Sequence, residues 1–182
     1  MASTPVDDPG EVYTPLFHRL LDRLAVEQER AREDHSMAAA RYDELMALPH
    51  SERDAAIRSE ERFASFSLAG RLLDTSLEVR REDPEAGIEL SRLALAVADR
   101  LDPGGHGSGL VADLRARCWA YLGEGWSPTD PAAGRRAFRR ALSLLLHGSG
   151  DPLAEAEVLC LAAGLLDSGP GRAAAPGPPL VH

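Results

Sequence analysis

From residue 15 to residue 167 apolar side chains recur every three or four positions, and no stretch alternates apolar with polar as a half-buried strand would. That is the helical period, so the pattern predicts an all-α chain. Alanine, leucine, arginine and glutamate fill it, and β-branched residues are few, which agrees with helix propensity. The first predicted helix runs from about Pro15 to Ala31, where Leu16, Phe17, Leu20, Leu21 and Leu24 share one stripe. A second runs from about Ser36 to Leu48 and stops at Pro49, whose ring cannot continue a helix. Ser51 then offers an N-cap, and a short and a long helix are expected between Ser51 and Arg81.

Three later helices announce themselves alike. Asp83-Pro84, Asp130-Pro131 and Asp151-Pro152 each set a capping acid before a proline at the first helical position. The helices they open are expected to end near Leu101, Leu146 and Ser168, with a further helix over about 110–123. Four regions follow: a disordered N-terminus (1–11), an N-terminal helical segment (12–58), a helical array (59–167), and a disordered tail of proline, glycine and alanine (168–182).

The array is self-similar. Asp83-Pro84-Glu85-Ala86-Gly87 returns 47 residues on as Asp130-Pro131-Ala132-Ala133-Gly134, and at that spacing Arg92 falls on Arg139, Ala94 on Ala141 and Leu95 on Leu142. His106-Gly107-Ser108-Gly109 returns 41 residues on as His147-Gly148-Ser149-Gly150, which puts Gly123 on Gly164. The unit is a helical hairpin used twice, followed by one orphan helix, and such units bury their apolar faces by stacking.

Trp119, Leu122 and Gly123, then Gly134, Phe138, Ala141 and Leu142, resemble the tetratricopeptide repeat over about residues 64–166. In the earlier unit Leu72, Ser76, Gly87, Ile88, Ala94 and Leu95 take the matching places, without the tryptophan and the aromatic. The later unit is one residue short between Trp119 and Gly134, and no proline closes its second helix. The resemblance implies a short α-solenoid of antiparallel hairpins, preceded by the N-terminal helices. It further implies a concave face that binds protein or peptide, with Trp119 in the core.

Composition narrows the chemistry. The chain has 182 residues with 20 basic and 29 acidic side chains, a net charge of −9, so its surface as a whole does not suit nucleic acid. Every basic residue is arginine, with no lysine and no asparagine, the usage expected of a GC-rich bacterial genome, and a catalytic lysine is excluded. No apolar run is long enough for a membrane span, and the N-terminus is acidic rather than basic then apolar, which predicts a soluble, cytoplasmic protein. Cys118 and Cys160 form neither a disulfide framework nor a zinc pattern and are expected in the core. The six histidines lack the i, i+4 spacing of metal ligands, and the glycine-rich stretch 104–109 follows a helix, not a strand, so it reads as an inter-hairpin loop. No cofactor, metal or catalytic set is expected.

What remains is a surface for partners. Arg135, Arg136, Arg139 and Arg140 form the one dense basic patch, suited to carboxylates of an acidic peptide or to phosphate, and one of Tyr121 and Trp126 is expected to line the groove as a peptide anchor. The helix over 151–166 is apolar on much of its circumference and no helix is expected after it. It either caps the array, docks on a partner or a second copy, or marks a shortened member of a longer repeat family. The preferred expectation is a non-enzymatic protein-interaction module, an adaptor or scaffold. The alternative is a regulatory component of bacterial transcription or signalling, against which the N-terminal segment is acidic and shows no helix-turn-helix.

Overall fold

The computed structural model describes residues 9–167, so the calls of disorder over 1–8 and 168–182 lie outside the described residues. Among the described residues there are helices and no strand: α1 (Pro9–Ala47), α2 (His50–Ser59), α3 (Phe66–Val79), α4 (Pro84–Arg100), α5 (Pro103–His106), α6 (Ser108–Trp126), α7 (Pro131–Leu145) and α8 (Pro152–Asp167), with a 3-10 turn at Glu61–Phe63. None is long and apolar enough to cross a membrane.

The two helices expected at Pro15–Ala31 and Ser36–Leu48 are one helix of 39 residues, which already includes residues 9–11. Nothing between Ala31 and Ser36 breaks a helix, and the Ser36 hydroxyl donates back to the Glu33 carbonyl at 2.8 Å instead of capping a new one. Ser51 likewise lies inside α2, whose N-cap is Pro49 with no side-chain bond. The Asp-Pro starts are as the sequence reads: Asp83 accepts from the Ala86 amide at 2.9 Å, and Asp130 from Ala132 and Ala133 at 3.0 and 2.9 Å. Asp102-Pro103 opens the single turn α5 in the same way, so the glycine stretch holds a helical turn before Gly107 swings to φ +86° and releases α6.

Short connections fold α3 on α4 and α6 on α7 as antiparallel pairs. Small residues set how closely each pair approaches. A Cβ on Gly134 would stand 2.4 Å from Ser127 Oγ and 2.9 Å from the Gly123 carbonyl, and one on Gly123 would stand 2.9 Å from the Phe138 ring. In the first pair Gly87 lies against Arg80 and the Ser76 carbonyl, and Ser76 and Ser91 share a buried hydrogen bond at 3.2 Å.

Each pair is then sealed by the next helix. Helix α8 buries Val158 against Ala116, Ala120, Phe138 and Ala141. The residues 47 positions earlier, Ala69, Leu73, Ser91 and Ala94, are buried as well, and α6 packs on that earlier pair. The larger core joins Leu68, Leu72, Leu90, Leu93 and Val97 of the first pair to Leu45 of α1, Ala56 and Ile57 of α2, and Phe63 of the 3-10 turn. Full burial of side chains such as Phe63 or Ile57 contributes about 1.5–3 kcal/mol each.

Helix α1 meets this body only in its second half. Every described side chain from Phe17 to Glu33 is exposed, the apolar stripe Phe17, Leu20, Leu21 and Leu24 included. At Asp34 the helix reaches α3, where the carboxylate accepts from the Ser65 hydroxyl at 2.7 Å and the Ser67 amide at 2.9 Å and pairs with Arg41 at 2.5 Å. Burial works against that charge, but the bonds from Ser65, Ser67 and Arg41 outweigh it and hold the carboxyl below its ordinary value.

A carboxyl whose pKa is lowered by folding adds stability that is present above its unfolded pKa, near about 4, and is lost as pH falls through its folded value. The stability gap between the parent chain and Asp34→Asn, measured by urea unfolding, is therefore expected to be steady from pH 7 to 5 and to close below about pH 4. Gly134→Ala drives a methyl into backbone and is expected to cost about 1–3 kcal/mol. Gly70→Ala, where a Cβ meets nothing within 4 Å inside α3, is expected to gain about 0.5–1 kcal/mol by the same measurement.

Candidate functional site

The α6–α7 pair carries an open groove of about 610 Å³. Trp119 and Trp126 project from α6 on one side, seven residues and so two turns apart on one face. Ala133, Arg136, Ala137 and Arg140 project from α7 on the other, and Asp130 completes the lining. Ala133 and Ala137 are small enough to leave the indoles partly uncovered, so the groove has an apolar floor with two guanidinium groups at its edge. Indole faces hold apolar and cationic groups, and guanidinium forks hold carboxylates.

The sequence-predicted residues divide into three sets. Trp126, Arg136 and Arg140 come together in this groove. Arg135 and Arg139 are exposed on α7 but do not line it. Tyr121 does not line this groove: it is buried, its hydroxyl donates to the Glu157 carboxylate of α8, and the Arg80 guanidinium lies 4.8 Å over its ring. Burial first, and then the bond to Glu157, push its phenol well up. Arg117 holds the same carboxylate at 2.7 Å, so Tyr121 and Arg117 together fasten α8 to α6.

Trp119, expected in the core, is half-buried: it packs against the cluster of Ala116, Ala120, Phe138, Ala141 and Val158 and also lines the groove. Its position 47 residues earlier is Leu72, which is fully buried, and the difference lies in what covers each pair rather than in the helix that carries them. Cys118 is buried and its thiol is pushed up by burial, whereas Cys160 is exposed on α8 and is not core. The groove was legible in one signal the sequence does carry, the seven-residue spacing of the two tryptophans opposite alanines and arginines spaced three and four apart.

The α7 arginines differ from most others in the body. Arg92 is bound by Glu89 at 2.9 Å and Asp54 at 2.5 Å, Arg100 by the Ile57 and Glu60 carbonyls at 2.5 and 2.7 Å, and Arg53 by the Leu48 and Met46 carbonyls. Among the described residues Arg135 and Arg139 join no ion pair, and Arg136 reaches Asp130 only at 3.9 Å. Arg140 acts at a distance on Asp99, whose carboxyl burial pushes up while Arg115 and Arg140 pull it down. No group of three histidine, cysteine, aspartate or glutamate side chains among the described residues could hold a metal ion.

Three further apolar side chains are exposed near the C-terminal end of the described residues, Leu146 after α7 and Leu153 and Leu159 on α8. The Asp113 carboxylate of α6 is buried and accepts the Ser149 amide and hydroxyl at 3.0 and 2.5 Å, which fixes the turn into α8.

If Tyr121 fastens α8, Tyr121→Phe costs about 1–3 kcal/mol of stability in urea unfolding and leaves any binding by the folded chain unchanged. A stability-neutral variant that lost binding would return Tyr121 to the surface role. In comparisons with known proteins, no family model matches this chain, and no curated protein or solved structure does.

Proposed function

We propose that this chain is a non-enzymatic protein-interaction module, an adaptor or scaffold of the cytoplasm, built from tetratricopeptide-like helical pairs. The observation that carries the reading is the groove of Trp119, Trp126, Arg136 and Arg140. Its two indoles are only partly covered, and its arginines lack the close carboxylate and carbonyl partners that most body arginines have. Partly exposed aromatic and arginine side chains in a concave setting are what protein interfaces draw on for anchoring energy. The spacing of like residues 47 apart, with matching caps and matching close crossings, supports the assignment to helical pairs of one kind. A second reading, end-to-end association through α8, is favoured by the exposure of Leu153 at 78% and Leu159 at 53%.

The test is recovery of partners on the tagged full chain from its native lysate at low and moderate salt, with light scattering on the eluate. A stoichiometric partner is expected, lost by at least tenfold with Arg136→Glu combined with Arg140→Glu while helicity by circular dichroism stays unchanged. Recovery of the chain alone as an oligomer would overturn the adaptor reading in favour of association through α8.

A further inference from the structure

The first helical pair shows what the groove on the second pair is shaped to hold. The groove residues Trp119, Arg136, Ala137 and Arg140 stand 47 positions after Leu72, Glu89, Leu90 and Leu93. In the first pair that face is closed. Leu72, Leu90 and Leu93 are buried in one cluster with Leu45 of α1 and with Ala56 and Ile57 of α2. Helix α2 is keyed to α4 by charge: Asp54 pairs with Arg92 at 2.5 Å, and His50 lies 3.5 Å from Glu89. On the second pair α6 packs on α4 as α3 packs on α1, but no helix of the described residues takes the place of α2.

We infer that this groove is the seat of an acidic amphipathic helix from a partner protein, docked on α7 as α2 docks on α4, which rests on the interaction-module reading above and names its ligand. The chemistry of the seat is specific. Arg139, exposed on α7 outside the groove lining, stands 47 positions after Arg92, which binds Asp54, so an arginine is kept at that register on the seat's flank. Arg136 replaces Glu89 and Arg140 replaces Leu93, so one arginine in the first seat becomes three in the second. The occupant is therefore more acidic than α2. It carries a carboxylate at the Asp54 position and another where α2 has His50, and its apolar residues face the indole floor as Ala56 and Ile57 of α2 face the core of the first pair. Helix-in-groove binding of this kind reads the partner through side chains three and four apart.

The probe is a synthetic peptide of residues 49–62 carrying His50→Glu, held helical by a hydrocarbon bridge between positions 55 and 59, both exposed in α2. The chain holds two tryptophans and both line the groove, so intrinsic fluorescence of the full chain reports occupancy directly. A saturable change is expected, weakened at least tenfold by Arg139→Glu and reduced by added salt. A peptide with Asp54→Arg should bind the parent chain at least tenfold more weakly and regain affinity on the Arg139→Glu chain.

Absence of a saturable change, or binding indifferent to the Asp54 and Arg139 exchange, overturns the inference. So does a chain that self-associates in light scattering and loses that with Arg139→Glu, which would make the occupant a second copy. A lysate partner retained by the Arg136→Glu, Arg140→Glu chain would leave the module reading standing and remove the groove from it, so the two failures are distinct.

Discussion

Two helices can approach only as closely as the side chains between them allow, and in this chain the crossings at Gly123 with Gly134 and at Ser76 with Gly87 decide everything downstream. With no Cβ at Gly134, α7 rests directly on the Gly123 carbonyl and the last turn of α6. That contact fixes which residues of each pair face inward and how wide a cleft lies between the flanking helices. It also leaves each pair with an apolar side that it cannot bury alone. The fold is a series of answers to that exposure: α1 and α2 cover the first pair on one side, α6 covers it on the other, and α8 covers the second pair over Ala116, Ala120 and Phe138.

Electrostatics follows the same logic. With arginine as the sole basic side chain besides histidine, the body uses its planar fork repeatedly to satisfy helix ends and bridge elements. Arg53 binds the carbonyls that end α1, Arg100 those that end α2, and Arg92 and Arg117 each join two helices through a carboxylate. Acidic side chains before α3 are partly neutralised in this way, since Asp54 and Glu61 pair with Arg92 and Arg100. The arginines of α7 stand outside this pattern: among the described residues Arg135 and Arg139 join no ion pair and Arg136 reaches Asp130 only at 3.9 Å, and the half-buried indoles lie beside them.

The sequence by itself determined the helical class, the Asp-Pro starts and the small residues at the crossings, because each rests on local physics. A capping aspartate needs only the next two or three amides, a proline only its own ring, and a 3.6-residue period only the helix that carries it. It did not show where α1 joins the body, since that junction is made by Asp34 with Ser65 and Ser67, more than thirty residues away. Nor could it separate Tyr121 from Trp119, which lie two positions apart on one helix. Which of them is fully covered depends on where Glu157 of α8 and Arg80 arrive, since Trp119 packs on the second cluster and still lines the groove. Burial of a given side chain is a property of the neighbours that cover it, and only the tertiary structure decides which neighbours those are.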